Sequence, residues 1–229
     1  MKTSKIKFPQ THGAILTGDV VHSSRLKVET RRNLPELLRH VSDELRQAWP
    51  QEVPLDISIF RGDAWQILVK DPALALRAAL FFRAGIIAGS TDTPLDTRIA
   101  VAVGAIDFVP KGGVTEGDGP AYRESGKALD GLREPFRLSL TGEGTSQGVL
   151  ASAVAAPLLD ALIRNWTSRQ AQAVQLRLRG LSQIEISARF RPKRISQQSV
   201  ARHLERAQWP AIEAALVTLE NEWLAPPRS

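Results

Sequence analysis

The sequence predicts an α+β chain: a ferredoxin-like (split βαβ) core followed by an all-helical segment. Three observations carry that prediction. Up to about residue 140 the apolar residues fall in short, alternating, β-branched runs. Beyond residue 146 they change to three-and-four spacing. The runs follow the order β-α-β-β-α-β, then α-β, which is a split βαβ with an appended unit.

HGAILTGDVV (12–21) reads as a strand that stops at Gly18. Leu34, Leu37, Leu38, Val41 and Leu45 have helical spacing, so a helix is expected over 33–48, capped by Asn33 with Pro35 in its first turn. LDISIF (55–60) and AWQILVK (64–70) form two strands around a turn. Asp71-Pro72 starts a helix that continues to Gly89. TRIAVAVGAIDFV (97–109) is a long strand, PAYRESGKALDGL (120–132) a short helix and FRLSL (136–140) a last strand. Residues 146–166 read as a connecting helix that Pro157 should kink or divide. Short helices then follow, the first ended by Gly180 and the next two capped by Ser182 and Ser196. The expected units are a sheet domain over 11–145, the connecting helix 146–166 and a helical domain over 167–229.

At 229 residues, 43% hydrophobic and 24% charged, the chain has material for a real core and is not a disordered sequence. It has no cysteine, which excludes thiol catalysis, disulfides and cysteine-type zinc sites and suits a reducing compartment. MKTSKIKFPQ has no apolar run after its lysines, and AALFFRAGIIAG is broken by Arg83 and too short to span a bilayer. The expectation is a cytoplasmic protein without a membrane partner. Charge is uneven: between Thr167 and Trp209 nine Lys/Arg face two acids, a local +7 on a chain whose net charge is +6. A polyanion partner for that segment is one reading, and an arginine-rich solvated surface is the other.

FRGDAWQILV (60–69) places an acid, Asp63, in the turn between two apolar strands, where a plain hairpin needs only the glycine. Asp19 follows the first strand. In a ferredoxin-like sheet these two positions lie on neighbouring strands, so the carboxylates converge. Two close carboxylates repel unless a cation stands between them. Mg²⁺ is suited to that role, and such a pair is what two-metal phosphoryl chemistry requires. The plainer reading keeps Asp63 as a turn residue and Asp19 as a loop acid.

LTGDVVHSS and FRGDAWQIL, followed by RIAVAVGAI and GDGPAYRESGKALDGL, resemble the class III nucleotidyl cyclase core, related to GGDEF and polymerase palm domains. Over nearly its whole length the chain resembles SatD-type bacterial proteins, which join such a palm to a helix-turn-helix. By position the resemblance implies Asp19 and Asp63 as metal ligands. It also implies Gly18, Val20, Val21, His22, Ser23 and Ser24 as a loop wrapping a triphosphate. Arg61 and Arg25 would add phosphate contacts. The cofactor implied is Mg (or Mn) with a nucleoside triphosphate. The sequence departs from cyclases where they carry an asparagine and an arginine four residues apart on the late helix: here stand Arg123 and Lys127. These two remain candidate catalytic cations, but the ribose-orienting amide is lost. The lysine before the turn in purine-selecting cyclases is also absent, since Ser58-Ile59-Phe60 stands there.

SRQAQAV, GLSQIEISARF and SQQSVARHLERA resemble the helix-turn-helix of sigma region 4 and LuxR-type regulators. Ile184, Ile186 and Phe190 are expected to anchor the first helix, with Val200 and Leu204 packing the second against it. Ser196, Gln197, Gln198, Ala201 and Arg202 would then face outward where major-groove readers sit, and RFRPKR, including Arg194, would lie by the phosphates. The turn, Arg191 to Ile195, is long, which leaves a helical protein-docking module as the alternative. Trp209, Ile212, Leu216, Leu219 and Trp223 either close this segment or form a homodimer contact.

GTSQG (144–148) matches a G-x-S-x-G nucleophile pattern, but the only later histidine, His203, lies in the basic segment, so a Gly/Ser connection explains it better. His22 beside Ser23 and Ser24 suits a phosphate loop more than a Ser-His pair. His12 and His40 are ordinary histidines, and the four histidines lack zinc spacing. The function expected is a nucleotide-responsive, DNA-binding transcriptional regulator. The alternative is an active nucleotidyl cyclase or oligonucleotide synthase whose helix-turn-helix serves localisation. An adaptor without nucleic acid is a third reading.

Overall fold

A computed structural model describes residues 11–90, 93–109, 113–142 and 146–224. Five strands form one sheet: β1 (Thr11–Val20), β2 (Ser58–Phe60), β3 (Ala64–Val69), β4 (Thr97–Ile106) and β5 (Leu138–Gly142), in the order β2-β3-β1-β4-β5. β1 is antiparallel to both β3 and β4, and β5 is parallel to β4. The first four strands therefore have the ferredoxin-like order, and the fold is α+β as expected. Helices α1 (Val28–Ala48), α2 (Ala75–Ala88) and α3 (Pro120–Gly131) connect the strands. The parallel β4–β5 pair requires a crossover, which α3 supplies.

Alternation along β1 sorts the two faces of the sheet. Ala14, Leu16 and Val20, with Trp65, Ile67 and Val69 of β3 and Ile99, Val101 and Val103 of β4, enter the large core beneath α1 and α2. Ile15, Leu68 and Ile106 face the other way, with Ala121 and Tyr122 of α3. On that same face the Thr17 and Ser125 hydroxyls lie 2.8 Å apart, and Gln66 donates its amide to Thr17 at 3.1 Å.

Several boundaries differ from expectation. β1 does not stop at Gly18. It runs on to Val20, because Asp19 and Val20 stay paired with Arg98 and Thr97 of β4; a Cβ at residue 18 would lie 2.4 Å from the Trp65 ring and from the Arg98 carbonyl. The glycine is there to seat tryptophan. α1 begins at Val28 with Lys27 before it, so Asn33 is not its cap and Pro35 lies within the helix. β4 ends at Ile106, three residues early.

Five further helices follow: α4 (Ser146–Ile163), α5 (Ser168–Leu178), α6 (Gln183–Arg189), α7 (Gln197–Arg206) and α8 (Trp209–Leu224). Pro157 lies inside α4 without dividing it. Ser182 caps α6 in a reciprocal pair with Glu185, and Ser196 accepts from the Ser199 amide to cap α7, as expected. The last stretch, which the sequence leaves undivided after Ser196, forms two helices, α7 and α8, parted at Gln208 with its left-handed φ of 58°. Val174, Leu178, Ile186, Phe190, Val200, Leu204, Trp209, Ile212, Leu216 and Leu219 are buried in the same core that underlies the sheet. Ile184, expected as an anchor, is 66% exposed: α6 is only seven residues long and turns that side chain to solvent. The side chain of Trp223 and part of the GTSQG stretch lie outside the described residues.

Polar links tie the helices to the sheet layer. Arg77 of α2 holds both oxygens of Glu220 in α8, at 2.7 and 3.0 Å, and Gln175 of α5 donates to Glu44 of α1 at 2.8 Å. Arg83 of α2 is fully buried. It forks onto Asp96 just before β4, at 2.8 and 2.9 Å, and reaches Asp160 of α4 at 2.6 Å. Arg137, just before β5, donates its side chain to Asp96 at 2.6 Å and its backbone N–H to Asp160 at 3.0 Å. Two arginines and two aspartates thus close a neutral cluster. Among the described residues no helix is long and apolar enough to cross a membrane.

Candidate functional site

The end of β1 and the β2–β3 hairpin tip do meet. Asp19 is in register with Ala64, and the Val20 amide donates to the Asp63 carbonyl at 3.3 Å. Arg61 and Gly62, both left-handed at φ 56° and 87°, turn the chain so that Asp63 stands beside the turn after β1. In that turn His22 is also left-handed, at φ 54°, and a single 3-10 turn, Ser23–Arg25, leads toward α1. The Ser23 hydroxyl donates to the Asp63 carboxylate.

The two carboxylates have different partners. Asp19 lies on the α3 face of the sheet, directly across from Arg98 of β4. Arg98 donates Nε to one oxygen of Asp19 at 2.9 Å and Nη2 to the other at 2.5 Å. Its remaining Nη1 reaches the Leu132 carbonyl at 3.4 Å. The hydrogen bond from its guanidinium to Asp19, opposed by partial burial and aided by nearby Asp130 and Glu134, holds Arg98 above the usual arginine value. Both Asp19 oxygens are thus engaged by a fixed positive charge, and a metal on this carboxylate would have to sit beside that cation.

The phosphate-loop residues divide in the same way. The Val20 and Val21 amides are committed, to the Asp63 and Asp96 carbonyls, and Gly18 is packed under Trp65. His22, Ser23 and Ser24 are left at the head of the 3-10 turn. On its other side the turn borders a cavity of about 760 Å³, lined by His22, Arg25, Arg137 and Arg164 together with Trp166, Thr167 and Ser168. Asp96 is also in that lining, but its charge is matched by Arg83 and Arg137.

Arg123 pairs with Asp118 at 2.6 Å and Lys127 with Glu124 at 2.8 Å, all on the exposed side of α3 or at its start. Arg98, Arg137 and Arg164 were not singled out from the sequence. Arg98 could have been, since it sits one residue into a strand whose antiparallel pairing with β1 sets it opposite Asp19.

In the helical segment, Gln197, Gln198, Arg202, Lys193 and Arg194 are exposed, while Ala201 is half-buried. Phe190, buried, stacks on His203 with ring centroids 5.7 Å apart and planes 9° from parallel, and Arg169 lies 5.7 Å from the same ring. Partial burial first, then Arg169, Arg206 and Arg202, push the His203 imidazole below its usual value.

No family model and no curated protein matches the chain. Solved structures overlap part of the chain. A monomeric guanylyl cyclase domain of the RhoGC fusion protein from the aquatic fungus Blastocladiella emersonii is 17% identical, covering 53% of this chain and 75% of that one, at a TM-score of 0.43. A bacterial light-regulated adenylyl cyclase is 18% identical over 57% of this chain and 75% of that one, at 0.42. The guanylyl cyclase Cya2 is 16% identical over 65% and 81%, also at 0.42. The strand order of the sheet, rather than these overlaps, defines the fold.

Proposed function

We propose that the chain is a nucleotide-binding protein on a cyclase-type palm, taking the phosphate groups of a nucleoside triphosphate at the turn after β1. The observation that carries this reading is the position of that turn. One side of it meets Asp63 through Ser23, and the other opens on a cavity edged by Arg25 and Arg164, with Arg137 beside them already paired to Asp96. Arginines in such a setting bind phosphate by charge-assisted hydrogen bonds. The cyclase resemblance of LTGDVVHSS and FRGDAWQIL points to the same ligand class. Binding without turnover is the reading taken because Arg123 and Lys127 stand where cyclases carry the ribose-orienting asparagine and its arginine.

The test is thermal shift of the full chain with each of ATP, GTP, CTP and UTP, with product analysis alongside. At least one should raise the melting temperature, and Arg25→Ala should diminish the rise. Release of pyrophosphate with a cyclic or linked product would replace the sensor with the enzyme reading. No shift with any triphosphate would end both.

A second reading concerns α6 and α7. Their arrangement, with Ser196 capping α7 and Gln197, Gln198 and Arg202 exposed on its first turns, supports a helix-turn-helix that takes double-stranded DNA. In that reading the nucleotide state of the palm is relayed through α5 and α8, which pack on α2. The protein would then regulate transcription in the cytoplasm.

A further inference from the structure

We infer that Arg98 is a built-in replacement for the divalent cation, so that the Asp19–Asp63 pair of this chain does not bind a metal. The argument starts from strand register. β1 and β4 are antiparallel with Asp19 opposite Arg98, and alternation puts both side chains on the α3 face. A guanidinium there can reach both carboxylate oxygens with no rearrangement, and it does so through Nε and Nη2. The pair is partly withdrawn from water, Asp19 at 22% and Arg98 at 33% side-chain exposure, so screening is incomplete.

A metal arriving at Asp19 would have either to displace two charge-assisted hydrogen bonds or to use the remaining lone pairs beside the guanidinium, and both are costly. Asp19 is neutralised by Arg98, and Asp63 is held by the Ser23 hydroxyl. For the phosphate site proposed above, on which this consequence rests, the counter-charge then comes from arginines alone. A metal on two carboxylates, which two-metal phosphoryl transfer requires, is not assembled.

The test uses Mn²⁺ alone on the full-length protein, with bound metal read by electron paramagnetic resonance or calorimetry. Wild type should show no site below the millimolar range, and Asp19→Asn should change nothing. Arg98→Met, which frees Asp19 while keeping the apolar stem, should gain a Mn²⁺ site about tenfold tighter or more. The double variant Arg98→Met with Asp19→Asn should lose it again. A wild-type site in the micromolar range that disappears in Asp19→Asn overturns the inference, as does an Arg98→Met protein that folds and gains nothing. Should Arg98→Met fail to fold, the wild-type and Asp19→Asn titrations still decide. ATP thermal shifts in EDTA and in Mg²⁺ form a separate arm. Equal shifts support the inference, and a shift seen only with Mg²⁺ and lost in Asp19→Asn overturns it. Absence of any shift overturns the nucleotide reading, while the Mn²⁺ titrations judge Arg98 independently.

Discussion

Arg83 and Asp160 meet at 2.6 Å with neither side chain exposed to solvent. One stands on α2, packed on the sheet, and the other on α4, so the bond fixes the helical segment against the sheet core. A buried pair of this kind is weak evidence of net stabilisation, because both groups are desolvated. Its loss is another matter. Arg83→Met leaves Asp160 with only a backbone donor, the Arg137 N–H, and should destabilise the protein by about 3–5 kcal/mol. Urea unfolding of the variant measures it. A change under about 1 kcal/mol, the range of exposed pairs, would show that the cluster is not structurally important.

Asp96 gives the same cluster a pH dependence. Burial alone would raise its carboxyl, but the hydrogen bonds and charges of Arg83 and then Arg137 outweigh it, holding the group below the usual carboxylate value. A depressed folded value means that the unfolded chain binds the proton first. The stabilisation is therefore complete above the ordinary carboxylate range and is lost as pH falls through that range toward the folded value. Asp96→Asn should be less stable at neutral pH yet lose less on acidification. Parallel acid-denaturation curves for variant and wild type would contradict this.

How far the sequence disclosed this arrangement depends on the range of the interaction. The alternation of Trp65, Ile67 and Val69 announces β3 as a local record, even though its other face, with Gln66 and Leu68, is buried as well. The caps at Ser182 and Ser196 are equally local. The start of α1 was missed because VETRRN has no apolar period, and the α7–α8 break because Gln208 adopts a left-handed φ without a glycine to signal it. Arg98 and Arg83 needed more than a pattern. The first becomes meaningful only once β1 and β4 are paired in register, and the second, noted as a break in an apolar run, only once Asp160 is folded onto it. The meeting of the β1 end with the β2–β3 turn was legible, whereas the pairing of Arg98 with Asp19 was not.

Gly18 offers a packing test at the edge of the candidate site. A Cβ there would lie 2.4 Å from both the Trp65 ring and the Arg98 carbonyl, and Trp65 is fully buried. Overpacking of this kind costs about 1–3 kcal/mol, occasionally more. Gly18→Ala should therefore lower stability and shift Trp65 fluorescence even without nucleotide. If the variant were fully stable and defective only in nucleotide binding, Gly18 would belong to the phosphate loop and not to the tryptophan seat.

The DNA reading makes the last prediction, best made on the full chain because α5 shares its core with α2. Lys193 and Arg194 are exposed immediately before α7, and Gln197, Gln198 and Arg202 are exposed upon it. Phosphate contacts release counter-ions whatever the sequence, each contributing about 0.9 to the slope of log affinity against log salt. Lys193→Ala with Arg194→Ala should therefore weaken all duplexes alike and flatten that slope by about two. Base contacts behave differently. Gln198→Ala or Arg202→Ala should cost roughly 1–3 kcal/mol on a preferred site and little on random duplex. Measuring both kinds of variant over a salt series separates the two roles. Absence of duplex binding at about 50 mM salt, where non-specific contacts are strong, would exclude DNA as the partner of α7 and leave the protein-docking reading.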